Sequence, residues 1–224
     1  MDYSFLAKTV LFQGTAPEDI RSMLACLDAE EKQFPKNAVI FHAGNTVRSL
    51  GLVLSGSVQI ESDDLWGNKS VLDHIGPGSV FAETYACLPH EPLMVSVTAA
   101  EASTVLFLRA DRLLTPCQNT CVHHGRLIRS LLTISAQKNL NLSRRIFHTS
   151  SKTIRGRLIS YLSFQAAQQK SCRFTIPFNR QQLADYLHVD RSALSHELGK
   201  MQQEGLLETS RNSFHLKKDI GSCG

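Results

Sequence analysis

The hydrophobic period of the chain changes once along its length, and this change limits the folds that it can adopt. Between Phe34 and Leu108, short β-rich runs alternate with turn residues, as at Gly76-Pro77-Gly78. Several short strands at this spacing predict a sandwich or a barrel. From about Pro116 to Phe147 the period becomes helical. A block of strands followed by helices predicts an α+β fold.

The long helical segment carries one stripe whose steps alternate between four and three residues, which is a heptad seam. Polar residues within a seam can fix the register and the oligomeric state. Two interpretations remain open, since the helix can pack on its own domain or against a second copy. The stripe comprises Cys121, Gly125, Ile128, Leu132, Ser135, Asn139, Leu142 and Ile146.

Shorter helices are predicted on both sides of these segments. Residues 16–27 begin with Pro17 and place apolar residues at helical spacing. The polar residues 148–151 break the helical pattern and form a candidate hinge, after which a second helix follows.

Residues 179–205 predict two short helices joined by a tight turn. Asn179 and Gln182 form a capping-box pattern for the first helix, Asp190 can cap the second, and Gly205 can end it. With Ala184 small enough for a close crossing, this pair predicts a helix-turn-helix. Residues 206–216 then read as strand, turn and strand, which predicts a wing.

The second helix of this motif presents polar side chains that suit the major groove of DNA. Arg191 can contact guanine through two hydrogen bonds, and its neighbours can bind bases or phosphates. Other basic residues would contact phosphates. The alternative is a helical hairpin that only packs. The predicted DNA-binding residues are Arg180, Asp190, Arg191, Ser192, Ser195, His196, Lys200 and Arg211.

The charge distribution supports a polyanionic partner for the C-terminal part. Residues 1–150 hold 13 basic and 14 acidic residues, whereas residues 151–224 hold 11 and 6, a balance of +5. No H-E-x-x-H, G-x-S-x-G or P-loop motif occurs, so we expect no enzyme. A ligand-binding module without a DNA role is the further alternative. Without a transmembrane run or export signal, we expect a cytoplasmic chain with cysteine thiols and no membrane partner.

Taken together, these motifs resemble the CRP/FNR family of cyclic-AMP receptor protein and the fumarate–nitrate reduction regulator. The resemblance rests on residues 51–58, residues 76–81, the long helix and the winged motif, and it covers nearly the whole chain. It implies a double-stranded β-helix (β-roll, cupin-like) effector domain at 1–115, a central dimerisation helix at 116–148 and a winged helix-turn-helix domain at 149–224. It also implies a homodimer on a pseudo-palindromic DNA site, with RNA polymerase as a partner if the protein is an activator.

The resemblance further implies an effector pocket between the roll and the long helix, with a hinge near residues 148–153 that reorients the DNA-binding domain. The dimer interface would use Ile128, Leu132, Ser135, Asn139, Leu142 and Ile146. The pocket would be lined by Phe81, Ala82, Glu83, Thr84, Cys87, Leu93, Met94, His124 and Ile128.

Three departures from the family pattern limit this transfer. Cyclic-nucleotide members have a Gly-Glu pair and, further on, an Arg-Ser pair, but here Ala82 precedes Glu83 and Leu93-Met94 replaces the second pair. Without a guanidinium there is no bidentate phosphate clamp, which argues against cyclic AMP. The clustered N-terminal iron–sulfur cysteines are also absent. In the second helix of the motif, Ser192 and His196 replace the usual acid and second Arg.

The effector itself stays open at this point. Cys117 and Cys121 are four residues apart and His124 follows near the same helical face. Such a set suits zinc, an iron–sulfur cluster or haem iron. Buried cysteine is also a common core residue. A redox, metal or haem sensor, a small apolar or organic-acid effector, and no small effector at all are therefore alternatives.

Overall fold

The computed structural model describes residues 1–63, 69–88, 90–115 and 122–217. The chain divides into two compact units, residues 1–137 and residues 138–224, with the division inside the long helix. Among the described residues, no helix is long and apolar enough to cross a membrane.

The first unit combines eight strands with short helices. In chain order, its elements are α1 (Tyr3–Leu6), α2 (Pro17–Cys26), β1 (Glu30–Phe34), β2 (Val39–Phe41), β3 (Ser49–Ser55), β4 (Val58–Asp63), β5 (Lys69–Ile75), β6 (Val80–Phe81), α3 (Glu83–Cys87), β7 (Ser96–Ala99), β8 (Ser103–Arg109), α4 (Ala110–Leu114) and the beginning of α5 (Val122–Thr149).

The strands form two antiparallel four-stranded sheets, with orders β1-β8-β3-β6 and β2-β7-β4-β5. Residues of both sheets form one apolar core between them, including Val53, Val97 and Phe107. A second core covers the outer face of the first sheet with helices, where Leu52 and Leu106 pack with residues of α2, α4 and α5. The first sheet is therefore the middle of three layers, and the predicted α+β class is confirmed.

Two glycines allow close approaches within the first unit. A Cβ on Gly51 would lie 2.2 Å from the Phe81 ring, which covers the paired strand at that point. Gly56 has a φ of +72°, and a Cβ there would lie 2.4 Å from the Ala102 carbonyl oxygen. Both positions exclude any side chain unless the backbone or a buried ring moves.

The second unit contains the end of α5 and the rest of the chain. Its further elements are α6 (Ile154–Gln169), β9 (Arg173–Thr175), α7 (Arg180–Leu187), α8 (Arg191–Gln203), β10 (Leu207–Ser210) and β11 (Ser213–Leu216). The strands form an antiparallel sheet of order β10-β11-β9. One core joins α6, α7, α8 and the sheet, with Leu158, Leu183, Leu198 and Phe214 buried in it.

Three local expectations differ from the structure. Strand β1 was not expected, because Glu30–Phe34 is mostly charged; it is an exposed strand at the edge of its sheet. His148 does not lie in the polar break, since α5 continues to Thr149 and buries the imidazole at 1% exposure. Cys172 was expected to be a thiol and is disulfide-bonded.

Candidate nucleic-acid interface and effector region

The helix-turn-helix is built from locally encoded caps. The Asn179 side chain accepts a hydrogen bond from the Gln182 amide, and the Gln182 side chain accepts one from the Asn179 amide, which is the predicted capping box. His188 adopts the left-handed conformation (φ +52°) that reverses the chain after α7. The Asp190 carboxylate then accepts a hydrogen bond from the Ala193 amide and starts α8. These hydrogen bonds satisfy amides that helix ends leave unpaired.

One face of α8 is apolar and the other carries the predicted base-reading side chains. Leu194, Leu198 and Met201 are buried against the rest of the unit. The exposed positions on the remaining surface include Arg191, Ser192, Ser195, His196 and Lys200. This helix therefore offers a continuous polar face with two permanent positive charges.

The remaining predicted contacts behave differently from one another. Arg211 is exposed at the wing turn with a φ of +53°, a conformation that non-glycine residues rarely adopt. Arg180 is half-buried over the Phe214 ring, and its guanidinium donates weakly to the Thr209 hydroxyl and the Arg211 carbonyl. Burial lowers the pKa of Arg180, which stays charged. Asp190 acts locally, as a cap that also accepts a hydrogen bond from Ser192.

Two arginines that the sequence reasoning missed hold the turn between α7 and α8. Arg157 donates to the carbonyls of Leu187 and His188, each at 2.9 Å, and to that of Ser151 at 2.8 Å. Arg145, near the end of α5, donates to the Tyr186 and Asp185 carbonyls at 3.1 and 3.0 Å. Cations at a helix C-terminus interact favourably with its unpaired carbonyls and dipole. Two of the basic residues in this half of the chain therefore stabilise the motif itself.

The last turn of α5 is enclosed by aromatic rings of its own unit. His148 Nδ1 lies 3.0 Å from the Ser160 hydroxyl, and the ring contacts those of Tyr161, Phe164 and Tyr186. Burial lowers the pKa of His148, with a smaller contribution from Arg144. The predicted hinge at 148–153 is therefore attached to the helix-turn-helix on its N-terminal side.

In the first unit, the segment that resembles the cyclic-nucleotide cassette has a strained backbone. Ala82, where the family pattern has glycine, keeps a left-handed conformation (φ +59°) and directly precedes α3. Glu83 follows at 3% exposure. Residues in rare backbone conformations cluster at functional sites, so the retained geometry supports a binding role for this turn.

We expect that Ala82→Gly raises the stability of the first unit. The left-handed conformation costs an L-residue about 1–2 kcal/mol, and glycine gives back about 0.4–1 kcal/mol through its freer unfolded chain. The net gain should be about 0.5 kcal/mol in urea unfolding of the first unit. Ala25→Gly, in the exposed part of α2, is the control and should cost about 1 kcal/mol. A loss of stability in both variants would contradict the strain.

The predicted effector residues fall into different surroundings. Phe81 and Ala82 belong to the core between the sheets, whereas Cys87 and Ile128 pack against the core under the helices. Leu93 is buried, Thr84 is exposed and Met94 is 79% exposed. Among the predicted residues, Cys87 lines a cavity of about 680 Å³. The remaining lining residues of that cavity are Thr46, Arg48, Ala86, His90, Asp111, Leu114 and Thr115.

The metal hypothesis is tested only in part. Cys117 and Cys121 lie outside the described residues, so their arrangement stays a prediction. His124 is buried, with Nε2 3.3 Å from the Arg112 carbonyl. Burial, and then Glu83, raise the pKa of the Cys87 thiol, which disfavours the thiolate that a metal needs. In the described part of the chain, no three His, Cys, Asp or Glu side chains are grouped as metal ligands.

The predicted dimer seam is largely uncovered along α5. Leu132, Leu142 and Ile146 are 68%, 59% and 68% exposed. Asn139 is exposed, whereas Ser135 and Ile128 are half-buried. Large apolar side chains on one helical stripe are typical of a surface that a partner covers.

Comparisons with known proteins agree with both units. A model described as the cyclic nucleotide-binding domain matches residues 31–120, and a Crp-like helix-turn-helix domain matches residues 156–218. The cyclic AMP receptor protein of Thermus thermophilus is 24% identical over 219 residues, covering 93% of this chain and 92% of that protein. The transcriptional activator protein FnrA of Stutzerimonas stutzeri is 23% identical over 193 residues, covering 84% and 77%.

A solved structure of CprK complexed with OCPA has the same fold. Its TM-score is 0.62 at 14% identity, and the match covers 91% of this chain and 92% of that one. The two curated relatives are both named as regulators or receptors rather than as enzymes.

Proposed function

The chain belongs to the CRP/FNR family of transcriptional regulators, and on this premise we propose that it is a cytoplasmic homodimer that binds a pseudo-palindromic DNA site under the control of an effector in its first unit. As a DNA-binding regulator with a cyclic-nucleotide-binding-like domain, it agrees with the matched relatives. Its role is regulation without catalysis, and RNA polymerase is its further partner if it activates transcription.

The observation that carries this proposal is the polar outer face of α8. Arg191 follows the Asp190 cap, and so it lies at the N-terminal end of the helix that enters the major groove in this motif. Ser195 and His196 extend the exposed face, and Lys200 ends it with a second charge. We assign base reading to Arg191 and phosphate contact to Lys200 and Arg211.

We propose that the homodimer forms along the exposed stripe of α5. In a two-fold dimer each residue of the interface faces the same patch of the other copy. The aliphatic side chains of the stripe would bury one another, and Asn139 would fix the register.

We propose that the effector is not cyclic AMP. At the positions where the family pattern has Arg-Ser, Leu93 is buried and apolar and Met94 is exposed. Neither side chain can donate to a cyclic phosphate. The strained turn at Ala82 and the adjacent Glu83 support an effector role for this region with a different ligand.

The test is selection of DNA from a random-sequence pool, followed by affinity measurements. We expect the protein to enrich two related half-sites separated by one turn of DNA. Arg191→Ala should lose about 1–3 kcal/mol on the selected site and relax specificity at one base pair of each half-site. Fluorescence anisotropy on the selected site and on its single-base variants measures both effects.

Lys200→Ala is the matched control, because it removes one charge from the same helix. It should weaken binding to all sequences alike and reduce the salt dependence by about one unit. If the pool yields no enriched site, the regulator proposal fails and a module without a DNA role takes its place.

A further inference from the structure

The recognition helix α8 is bound on one side by a single guanidinium from the first turn of α6. Arg155 Nε donates to Glu197 at 2.5 Å, and its two terminal nitrogens each donate to Glu204 at 2.8 Å. Glu197 and Glu204 are seven residues apart, so they lie on one side of α8, about 10 Å apart along its axis. One side chain therefore holds two levels of the helix.

This ion-pair network is more enclosed than ordinary surface pairs. The Arg155 side chain is 35% exposed and that of Glu197 is 18% exposed. Arg155 lowers the pKa of Glu204, which is consistent with a charged pair. Bidentate pairs between arginine and carboxylate are directional, because the planar fork fits one arrangement of the two oxygens.

Direction matters here because the rest of the contact between α6 and α8 is apolar. Leu158 and Leu162 of α6 share a core with Leu198 and Met201 of α8. Apolar burial is non-directional and permits small rotations of a helix about its axis. Base reading requires side chains to be held within about 0.5 Å and 10–20° of the productive geometry. An ion pair at two levels of α8 supplies the missing constraint.

We propose that Arg155 is a positioning residue that fixes the rotation of α8, and so sets how well the protein distinguishes its own site from other DNA. This inference rests on the proposed DNA-binding function. Arg155 lies just after the polar break and the Thr153 cap of α6. A change at the break is thereby passed to the base-reading face of α8.

The competing role for an arginine in a basic domain is a direct phosphate contact, and the two roles differ in measurable ways. Arg155→Lys keeps the charge but loses the bidentate geometry. We expect about tenfold weaker binding to the selected site, within-twofold unchanged binding to random DNA, and an unchanged salt slope. If Arg155 contacts phosphate instead, Arg155→Gln lowers both affinities and reduces the salt slope by about 0.9 per chain.

The acidic partners provide a test of opposite sign. Glu197→Gln and Glu204→Gln each make the domain more positive, so general electrostatics would strengthen binding to all DNA. Positioning predicts that the ratio of specific to random affinity falls about tenfold in the double variant. Lys170→Gln, at the far end of α6, is the charge control and should leave that ratio unchanged.

Loss of folding is separated by urea unfolding of the second unit, and the affinities are compared only for folded variants. A specificity ratio that stays within twofold of wild type in Arg155→Lys and in the double Glu variant overturns the inference. If the wild-type protein itself selects no site, the proposed function fails instead.

Discussion

A protein with Leu142→Glu is expected to be monomeric and to bind its selected DNA site about 100-fold more weakly than the wild type, or weaker still. Leu142 lies on the proposed dimer stripe of α5 and is 59% exposed in the single chain. In a two-fold dimer the introduced carboxylates would approach each other within an apolar seam, where unpaired charge is costly.

The expected effect on DNA is large because the two half-sites act together. When one half of a dimer is bound, the other half searches at a high effective concentration, which raises affinity by about 10²–10⁴-fold. A monomer loses this gain although its helix-turn-helix is intact. Light scattering after size exclusion measures the mass, and anisotropy on whole and half sites measures the affinity.

Leu72→Glu is the matched control, since Leu72 is 57% exposed but lies on β5. It should remain dimeric and keep the affinity of the wild type. A dimeric Leu142→Glu protein would show that another surface joins the two copies.

Gly56→Ala is expected to have the largest effect on stability, about 3 kcal/mol for the first unit. The left-handed conformation of Gly56 alone costs an alanine about 1–2 kcal/mol. The added Cβ would also lie 2.4 Å from the Ala102 oxygen and 2.8 Å from the Ser103 Cα. The Ser103 hydroxyl binds the amide and the carbonyl of Ser57, so these backbones cannot separate without losing buried hydrogen bonds.

Two other glycines divide this cost into its parts. Gly44 has a similar φ of +84° with open space around it, so Gly44→Ala should lose only the conformational part, about 1–2 kcal/mol. Gly76 has neither constraint, and Gly76→Ala should be close to neutral. The measurement is urea unfolding monitored by circular dichroism. Equal losses at Gly56 and Gly44 would mean that the backbone near Ala102 adjusts freely.

The features that the sequence predicted well are those encoded within a few residues. The capping box at Asn179 and Gln182, the cap at Asp190 and the positive φ at Gly205 all depend on neighbours along the chain. Each is also found in the structure. The apolar periodicity of α5 similarly indicated which of its side chains would lie uncovered.

The features that the sequence did not predict join residues that are distant along the chain. Arg155 is 42 and 49 residues from its two carboxylates, and Arg157 is about 30 from the carbonyls that it binds. Nothing in the local pattern separates these arginines from those that would contact DNA. The charge balance of +5 therefore overstated how many basic residues are available to a polyanion.

Strand β8 has a consequence for how such chains can diverge. Val105 and Phe107 enter one core while Leu106 and Leu108 enter the other, so no residue of this run has a solvent-facing side chain to vary. On β5, Val71 and Leu72 are 56% and 57% exposed. We expect evolutionary drift to spare the first strand and to run freely along the second, which lets relatives at 24% identity retain one architecture.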